Sequence, residues 1–317
     1  ASYFSDFANS FRLPLFFILS GFLSHDKRLL TLKNCLSKYG KRLLIPYFSA
    51  AILLFLFWLF LGRHYGDPAG AELSPLKNFA GIFYAQGGAE FMDWGIPLWF
   101  LPALFCIIML DFFVSRLNQS VQPFMVVTFS LSGYFIYQRL GYHLPWSLDI
   151  AMVVYLFYFS GKLFRKYDLM NKTDKKEWLF ILVPIFLHLG IAHYTPNTTF
   201  YRGEYGILPL SYLTGILGFL WLFHLLKLLP TWKPIVWVGK NTLPILAFHL
   251  LAISTIKVIA LWLFNIEITF NLWNSLGLAA LQILLLTPVI LLMNQYVPFL
   301  AGKWGQRKDL MRHSDEA

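Results

Sequence analysis

The sequence is short of charge: only 13% of its 317 residues are Asp, Glu, Lys or Arg, against roughly 25% in a soluble globular domain. Water is therefore not the main solvent for most of its surface. Cysteine is scarce, with Cys35 and Cys106 alone, so there is no disulfide framework and no cysteine cluster spaced for a metal. No phosphate-binding glycine loop, nucleophile elbow or other metal-ligand spacing occurs. No internal repeat of the kind many secondary transporters carry is visible. Nor is there room for an attached soluble domain, because the longest loop, 63–95, has the length of a capping flap.

What is present is hydrophobic: 57% of residues are apolar, mean hydropathy is +0.58, and 19% are aromatic, with 32 Phe and 11 Trp. Such a composition suits lipid-facing surfaces and interfacial belts. A helix needs about 20 apolar residues to cross the hydrocarbon, since every backbone polar group must be paired within the segment. Eight runs qualify, near 43–62, 96–116, 123–137, 148–164, 178–194, 207–229, 242–264 and 272–296. A ninth, 4–23, is diluted by Ser5, Asp6, Asn9, Ser10 and Arg12, and reads either as a span or as a re-entrant segment. A signal peptide fits it poorly, because no basic start precedes the run and no small-residue cleavage site follows. The expected fold is all-α, a polytopic transmembrane helical bundle of about nine spans forming one domain over 1–317.

Charge supplies the orientation. If nine runs alternate, one side receives twenty basic residues, from Lys27 through Lys162, Arg165 and Lys166 to Arg312, and the other only Arg63, Lys77, Arg139 and Arg202. The rich side is cytoplasmic under the positive-inside rule. This places the 63–95 loop and Ala1 outside and the basic tail 303–317 in the cytoplasm. An outside N-terminus suggests either a helix before Ala1 or a first run that does not span. The net charge of +10 then reflects topology and attraction to anionic lipid headgroups rather than nucleic-acid binding.

Ionisable groups inside a membrane ask for a partner or a role. Arg12 sits near the middle of its run and is either a structural, snorkelling arginine or a clamp for phosphate or carboxylate. His249 ends the stretch from Asn241 through Thr242 and Pro244, about 12 Å beyond Asn241 toward mid-membrane. Thr242 and His249 share a helix face, and Pro244 is expected to free a carbonyl. His249 is a satisfied structural residue or a site residue. His188 and His224 read as structural. Asp149 reads as a first-turn carboxylate complementing the helix dipole behind a Ser147 cap, while Asp111 and Lys257 lie close enough to helix ends to snorkel. Lys41 and Arg42 stand at the mouth of a helix as a topology signal or as a dock for a phosphorylated donor. Trp99 is an interfacial anchor or a platform for a sugar ring.

These stretches resemble one family. Phe11-Arg12-Leu13-Pro14-Leu15-Phe16-Phe17-Ile18-Leu19-Ser20-Gly21-Phe22-Leu23 looks like the signature of the acyltransferase 3 family of membrane O-acyltransferases. Lys41-Arg42-Leu43-Leu44-Ile45-Pro46-Tyr47 and Pro97-Leu98-Trp99-Phe100-Leu101 resemble two later family segments. Leu144 to Asp149 and Gly239 to His249 resemble weaker ones. The subgroup most resembled contains fucose 4-O-acetylase-like and surface-polysaccharide O-acetyltransferases. The resemblance implies a ten-helix fold in the bacterial inner membrane. It implies transfer of an acyl group, usually acetyl, from acetyl-CoA or another acyl-CoA to a hydroxyl of a sugar or envelope glycan, which can be lipid-linked. No bound cofactor or metal is implied; acyl-CoA is a substrate and membrane lipids are the surroundings.

By that similarity His249 is catalytic, Arg12, Lys41 and Arg42 lie along the donor path, and Trp99, Asp149 and Asn241 line the acceptor cavity. A hydroxyl attacking a thioester needs a general base, and histidine as a residue type suits that task. The family's first helix also carries a histidine, so the resemblance further implies a helix before Ala1 and little acyl transfer by these 317 residues alone. The rival class is a transporter or flippase for a lipid-linked or polyanionic envelope substrate, which moves cargo without a covalent product.

The charge split makes a topological prediction. Reporter fusions after Lys172 and near the C-terminus should be cytoplasmic, and a fusion near Asp67 should be outside. An Asp67 reporter found inside would overturn the span count.

Overall fold

The computed structural model of the chain describes residues 3–64, 72–170, 177–195, 198–266, 268 and 271–303. Asp67, Lys172, Lys175, Lys176 and all of the basic tail except Lys303 lie outside them. The described residues form helices α1 (Tyr3–Phe22), α2 (Leu32–Tyr39), α3 (Ile45–Phe60), α4 (Pro75–Tyr84), α5 (Ala89–Met92), α6 (Phe100–Val114) and α7 (Gln122–Leu140). After these come α8 (Leu148–Lys166), α9 (Glu177–Ala192), α10 (Leu208–Leu228), α11 (Lys233–Lys240), α12 (Thr242–Phe264) and α13 (Leu272–Tyr296). Among the described residues there is no strand, only an isolated bridge between Thr199 and Glu204. The fold is all-α, as the composition requires.

All nine apolar runs are helical. Among the described residues, six helical stretches are long and apolar enough to cross a membrane: Leu32–His64, Ile96–Val114, Pro145–Lys166, Leu208–Leu228, Thr242–Phe264 and Trp273–Tyr296. The other three runs fall short for visible reasons. Helix α9 is short, α1 carries Asp6 and Arg12, and α7 carries Thr128, Ser130, Ser132, Gln138 and Arg139. Polar α1 and α7 are both packed on α8, so protein rather than lipid covers much of their surface.

Two compact units divide the chain, unit 1 comprising residues 1–35 and 103–230 and unit 2 residues 36–102 and 231–317. In unit 1, α8 packs on α1 and α7, α1 also lies along α10, and α10 pairs with α9. Glycine makes the α1–α8 approach possible. A methyl at Gly21 would stand 1.8 Å from the Tyr158 carbonyl oxygen, and one at Gly161 would stand 1.9 Å from that of Ile18. Small residues at such crossings let backbones touch, which drives helix association where lipid offers no hydrophobic gain. On α10, Gly215 and Gly218, one turn apart, receive Pro14 and Phe11 of α1.

In unit 2, α12 packs on α13, and the turn Pro298–Ala301 touches α3, α12 and α13. The described part of the 63–95 loop is built around buried Asn78. Its amide donates to the carbonyl oxygen of Glu90 at 3.1 Å, its side-chain oxygen accepts from the backbone N–H of Asp93 at 3.0 Å, and its own carbonyl accepts from the Trp94 indole at 3.0 Å. Tyr47 of α3 donates to the Ile82 carbonyl at 2.8 Å, and Trp58 to Asp93 at 2.8 Å. The described part of the loop is thus tied to α3.

Replacing Gly161 by Ala should destabilise the protein by about 1–3 kcal/mol, because the methyl meets backbone rather than a side chain that can turn away. Gly190→Ala, where nothing lies within 4 Å, should be neutral or slightly stabilising. Thermal unfolding of both variants in detergent checks the pair. Equal melting temperatures would remove the close α1–α8 approach as a determinant.

Candidate functional site

At one end of unit 1 the basic loops converge on a single carboxylate. Asp111 is the only acid of apolar α6 and is 1% exposed. The sequence reading let it snorkel to the helix end; instead it is buried and paired. Its Oδ2 meets the Lys27 ammonium at 2.5 Å and its Oδ1 meets Lys162 at 2.5 Å, while the Tyr155 hydroxyl donates to Oδ1 at 3.3 Å. Lys27, itself 1% exposed, also donates to the Tyr158 hydroxyl at 2.5 Å. Tyr155, Tyr158 and Lys162 stand at i, i+3 and i+7, one face of α8. The loop after α1 folds back so that Lys27 reaches this face.

Next to that cluster lies a cavity of about 440 Å³. It is lined by Gly21, Ser24, His25, Asp26 and Arg28 of the α1 end, by Gln119 and Gln122, and by Lys162, Arg165, Lys166 and Tyr167 of the α8 end. Arg28 pairs with Asp26 at 3.0 Å. Arg165 donates to the Ser24 carbonyl at 2.6 Å and Lys166 to the Gln119 amide oxygen at 2.7 Å, both neutral acceptors. Positive charge is thus in excess. The Asp26 carboxyl is held below the usual aspartate value chiefly by the Arg28 backbone N–H, against burial, then by the Arg28 guanidinium, and more weakly by Lys162.

The first turn of α8, at the opposite end of that helix, holds Asp149, fully buried. Its carboxylate accepts from the Leu144 backbone N–H at 2.9 Å and from His143 Nδ1 at 2.7 Å. The His143 ring stacks on Tyr137 at 4.3 Å. Ser147 makes no side-chain cap for the helix. Instead Trp146 and Ser147 take φ of 61° and 51°, a left-handed conformation costly for such residues. Asp149 is therefore the clasp of a strained turn, and His143 was invisible to sequence because nothing marked it as the partner of a residue six positions on.

A second histidine of unit 1 is fixed by its neighbours. The Trp221 indole donates to His188 Nδ1 at 3.1 Å, so Nε2 carries the proton and donates to the Ser10 oxygen at 2.8 Å, while Ser10 donates to the Phe7 carbonyl at 2.7 Å. With its lone pair engaged, His188 cannot activate Ser10, in accord with its structural reading. His224 is likewise fully buried, against Phe180 and Phe223. Arg12 is exposed on α1 with no acidic partner among the described residues.

In unit 2, Lys41 and Arg42 are exposed on the π-helical turn Gly40–Leu44, where the Ile45 N–H reaches back five residues to the Gly40 carbonyl. Such turns recur at functional sites. Trp99 is buried at 4% exposure in the turn Ile96–Trp99 that precedes α6, deeper than an interfacial anchor. Asn241 sits at the break between α11 and α12. Its side-chain oxygen accepts from Asn294 at 2.9 Å and from Lys303 at 2.8 Å, and Lys303 also donates to Asn294 at 2.8 Å. The sequence reading found Asn241 but neither partner. Because α12 begins at Thr242, Pro244 falls in the first turn, where a missing N–H costs no helical bond. His249 is half-buried. Its Nδ1 lies 3.0 Å from the Leu246 carbonyl, which can only accept, so Nδ1 carries the proton and Nε2 keeps its lone pair.

Long apolar helices, with polar helices sheltered within a unit, define a multi-pass membrane protein. A family model described as an acyltransferase domain matches residues 1–303, and the chain belongs to that family, the acyltransferase 3 membrane acyltransferases. No curated protein and no solved structure gave a significant match.

Asp111→Asn should destabilise the protein by about 3–5 kcal/mol, since two lysines would lose their shared counter-charge in a buried site. Tyr155→Phe, which removes one 3.3 Å bond, should cost about 1 kcal/mol. Unfolding in detergent compares them; a smaller loss for the aspartate change than for the tyrosine change would show that the cluster does not hold unit 1 together.

Proposed function

We propose that the protein transfers an acyl group, acetyl in the simplest case, from acyl-CoA to a hydroxyl of a sugar or cell-envelope glycan, which can be lipid-linked. The observation that carries this reading beyond general acyl transfer is His249: its Nδ1–H is held by the Leu246 carbonyl, which leaves Nε2 of the neutral ring as a proton acceptor among the apolar neighbours Phe248, Leu250 and Leu251. Hydroxyl acceptors need such a group. The acceptor oxygen bonds to the thioester carbonyl carbon as Nε2 takes its proton, then the C–S bond breaks and the coenzyme thiolate leaves and is protonated. No metal enters this chemistry.

The remaining roles follow from charge and shape. Lys41 and Arg42, presented by a π-helical turn in unit 2, and separately Arg12, exposed on α1 of unit 1, are each assigned to the donor's approach, as cations that draw in an anionic molecule. Trp99 and Asn241 in unit 2 are assigned to the acceptor, and Asp149 in unit 1 is assigned to it separately, through the turn that it fixes. The basic ends of the helices are assigned to the cytoplasmic face of the inner membrane, where acyl-CoA is made.

The test is acyl transfer by His249→Gln in membranes in which the unchanged protein is active. A drop in kcat of about 10²- to 10⁴-fold with normal abundance is expected for loss of a general base. Full transfer by the variant would return His249 to a structural role.

A further inference from the structure

We propose that the basic cavity of unit 1 docks the phosphates of a nucleotide, and, resting on the acyl-CoA reading above, that this nucleotide is the donor's adenosine 3′-phosphate 5′-diphosphate. The cavity, about 440 Å³, falls in the range of small-ligand sites. Its charge is built rather than incidental. Lys162 is anchored on Asp111 at 2.5 Å, so one ammonium is fixed at the inner wall. Arg165 and Lys166 spend their hydrogen bonds on carbonyl and amide oxygens, and neither pairs with an acid among the described residues. Among the described residues, Arg28 is balanced by exposed Asp26 alone.

The shape of the site suits a polyanion carrying a ring. Gly21 lines the cavity without a side chain, while Tyr167 at the exposed rim offers an aromatic face and Gln119 and Gln122 offer amides. Several convergent cations favour a ligand with several phosphates over one with a single phosphate, because each added charge-assisted bond deepens the preference. An anionic lipid headgroup shares the chemistry but brings one phosphate diester. This site is distinct from the Lys41 and Arg42 turn.

The experiment measures equilibrium binding of coenzyme A, 3′-dephospho-coenzyme A and adenosine 3′,5′-bisphosphate to the full chain in neutral detergent, and separately binding to phosphatidylglycerol vesicles. Coenzyme A should bind about ten-fold more tightly than its 3′-dephospho form, and Arg28→Gln combined with Lys166→Gln should weaken it about ten-fold or more, with a reduced salt dependence. A second readout needs no variant: bound adenosine 3′,5′-bisphosphate should protect the Lys166 amine of the unchanged protein from acylating reagents.

Unchanged affinity in the double variant together with unprotected Lys166 would overturn the proposal, as would loss of binding confined to Lys41→Gln with Arg42→Gln. Competition by phosphatidylglycerol vesicles without any coenzyme A binding would assign the cavity to lipid and overturn it equally. The two readings fail separately. Nucleotide binding in the cavity without acyl transfer sinks the proposed reaction and leaves the site, whereas acyl transfer with normal binding by the cavity variants sinks the site and leaves the reaction.

Discussion

Unit 1 depends on one carboxylate. Asp111 holds two lysines, one from the loop after α1 and one from the end of α8, and so fastens three parts of the chain at a point where none could keep its charge alone. A buried lysine or aspartate without a counter-charge is strongly disfavoured. The cluster therefore fixes where the α1 loop must go, and that loop in turn forms one wall of the basic cavity. The tight α1–α8 crossing at Gly21 and Gly161 continues the same demand, since the phenol of Tyr158 reaches Lys27 from the segment whose backbone faces Gly21.

That arrangement separates two kinds of chemistry along α8. Its last turns carry Lys162, Arg165 and Lys166 beside the cavity, and its first turn carries the buried Asp149 with His143 and the strained Trp146–Ser147 turn. A helix of 19 residues spans about 28 Å, close to the thickness of the hydrocarbon core. One end is basic; the other is a polar clasp held against an energetic cost.

The helices were legible because membrane helices must satisfy their own backbone, so apolar length alone marks them. The runs at 242–264 and 272–296 match α12 and α13 to the residue. Polar runs were harder: α1 and α7 are helices that shelter on α8, and the shelter is tertiary. The site was legible in its motifs and not in its pairings. Asn241 and His249 stand out in one short stretch of sequence, but Lys303 and Asn294 join Asn241 from elsewhere in unit 2. Asp111 read as a snorkelling acid because its partners lie 84 and 51 residues away in sequence. Arg165 and Lys166 read only as topology signals, since a basic helix end looks the same whether or not a cavity lies beside it.

The central claim is that this membrane protein makes an ester bond rather than carrying cargo. Inverted membrane vesicles containing the protein, supplied with acetyl-labelled acetyl-CoA on their exposed cytoplasmic face, measure it most directly. The account predicts label appearing as base-labile ester on sugar or glycan hydroxyls, dependent on His249 and independent of an ion gradient. Gradient-dependent movement of an envelope substrate with no labelled ester would contradict it.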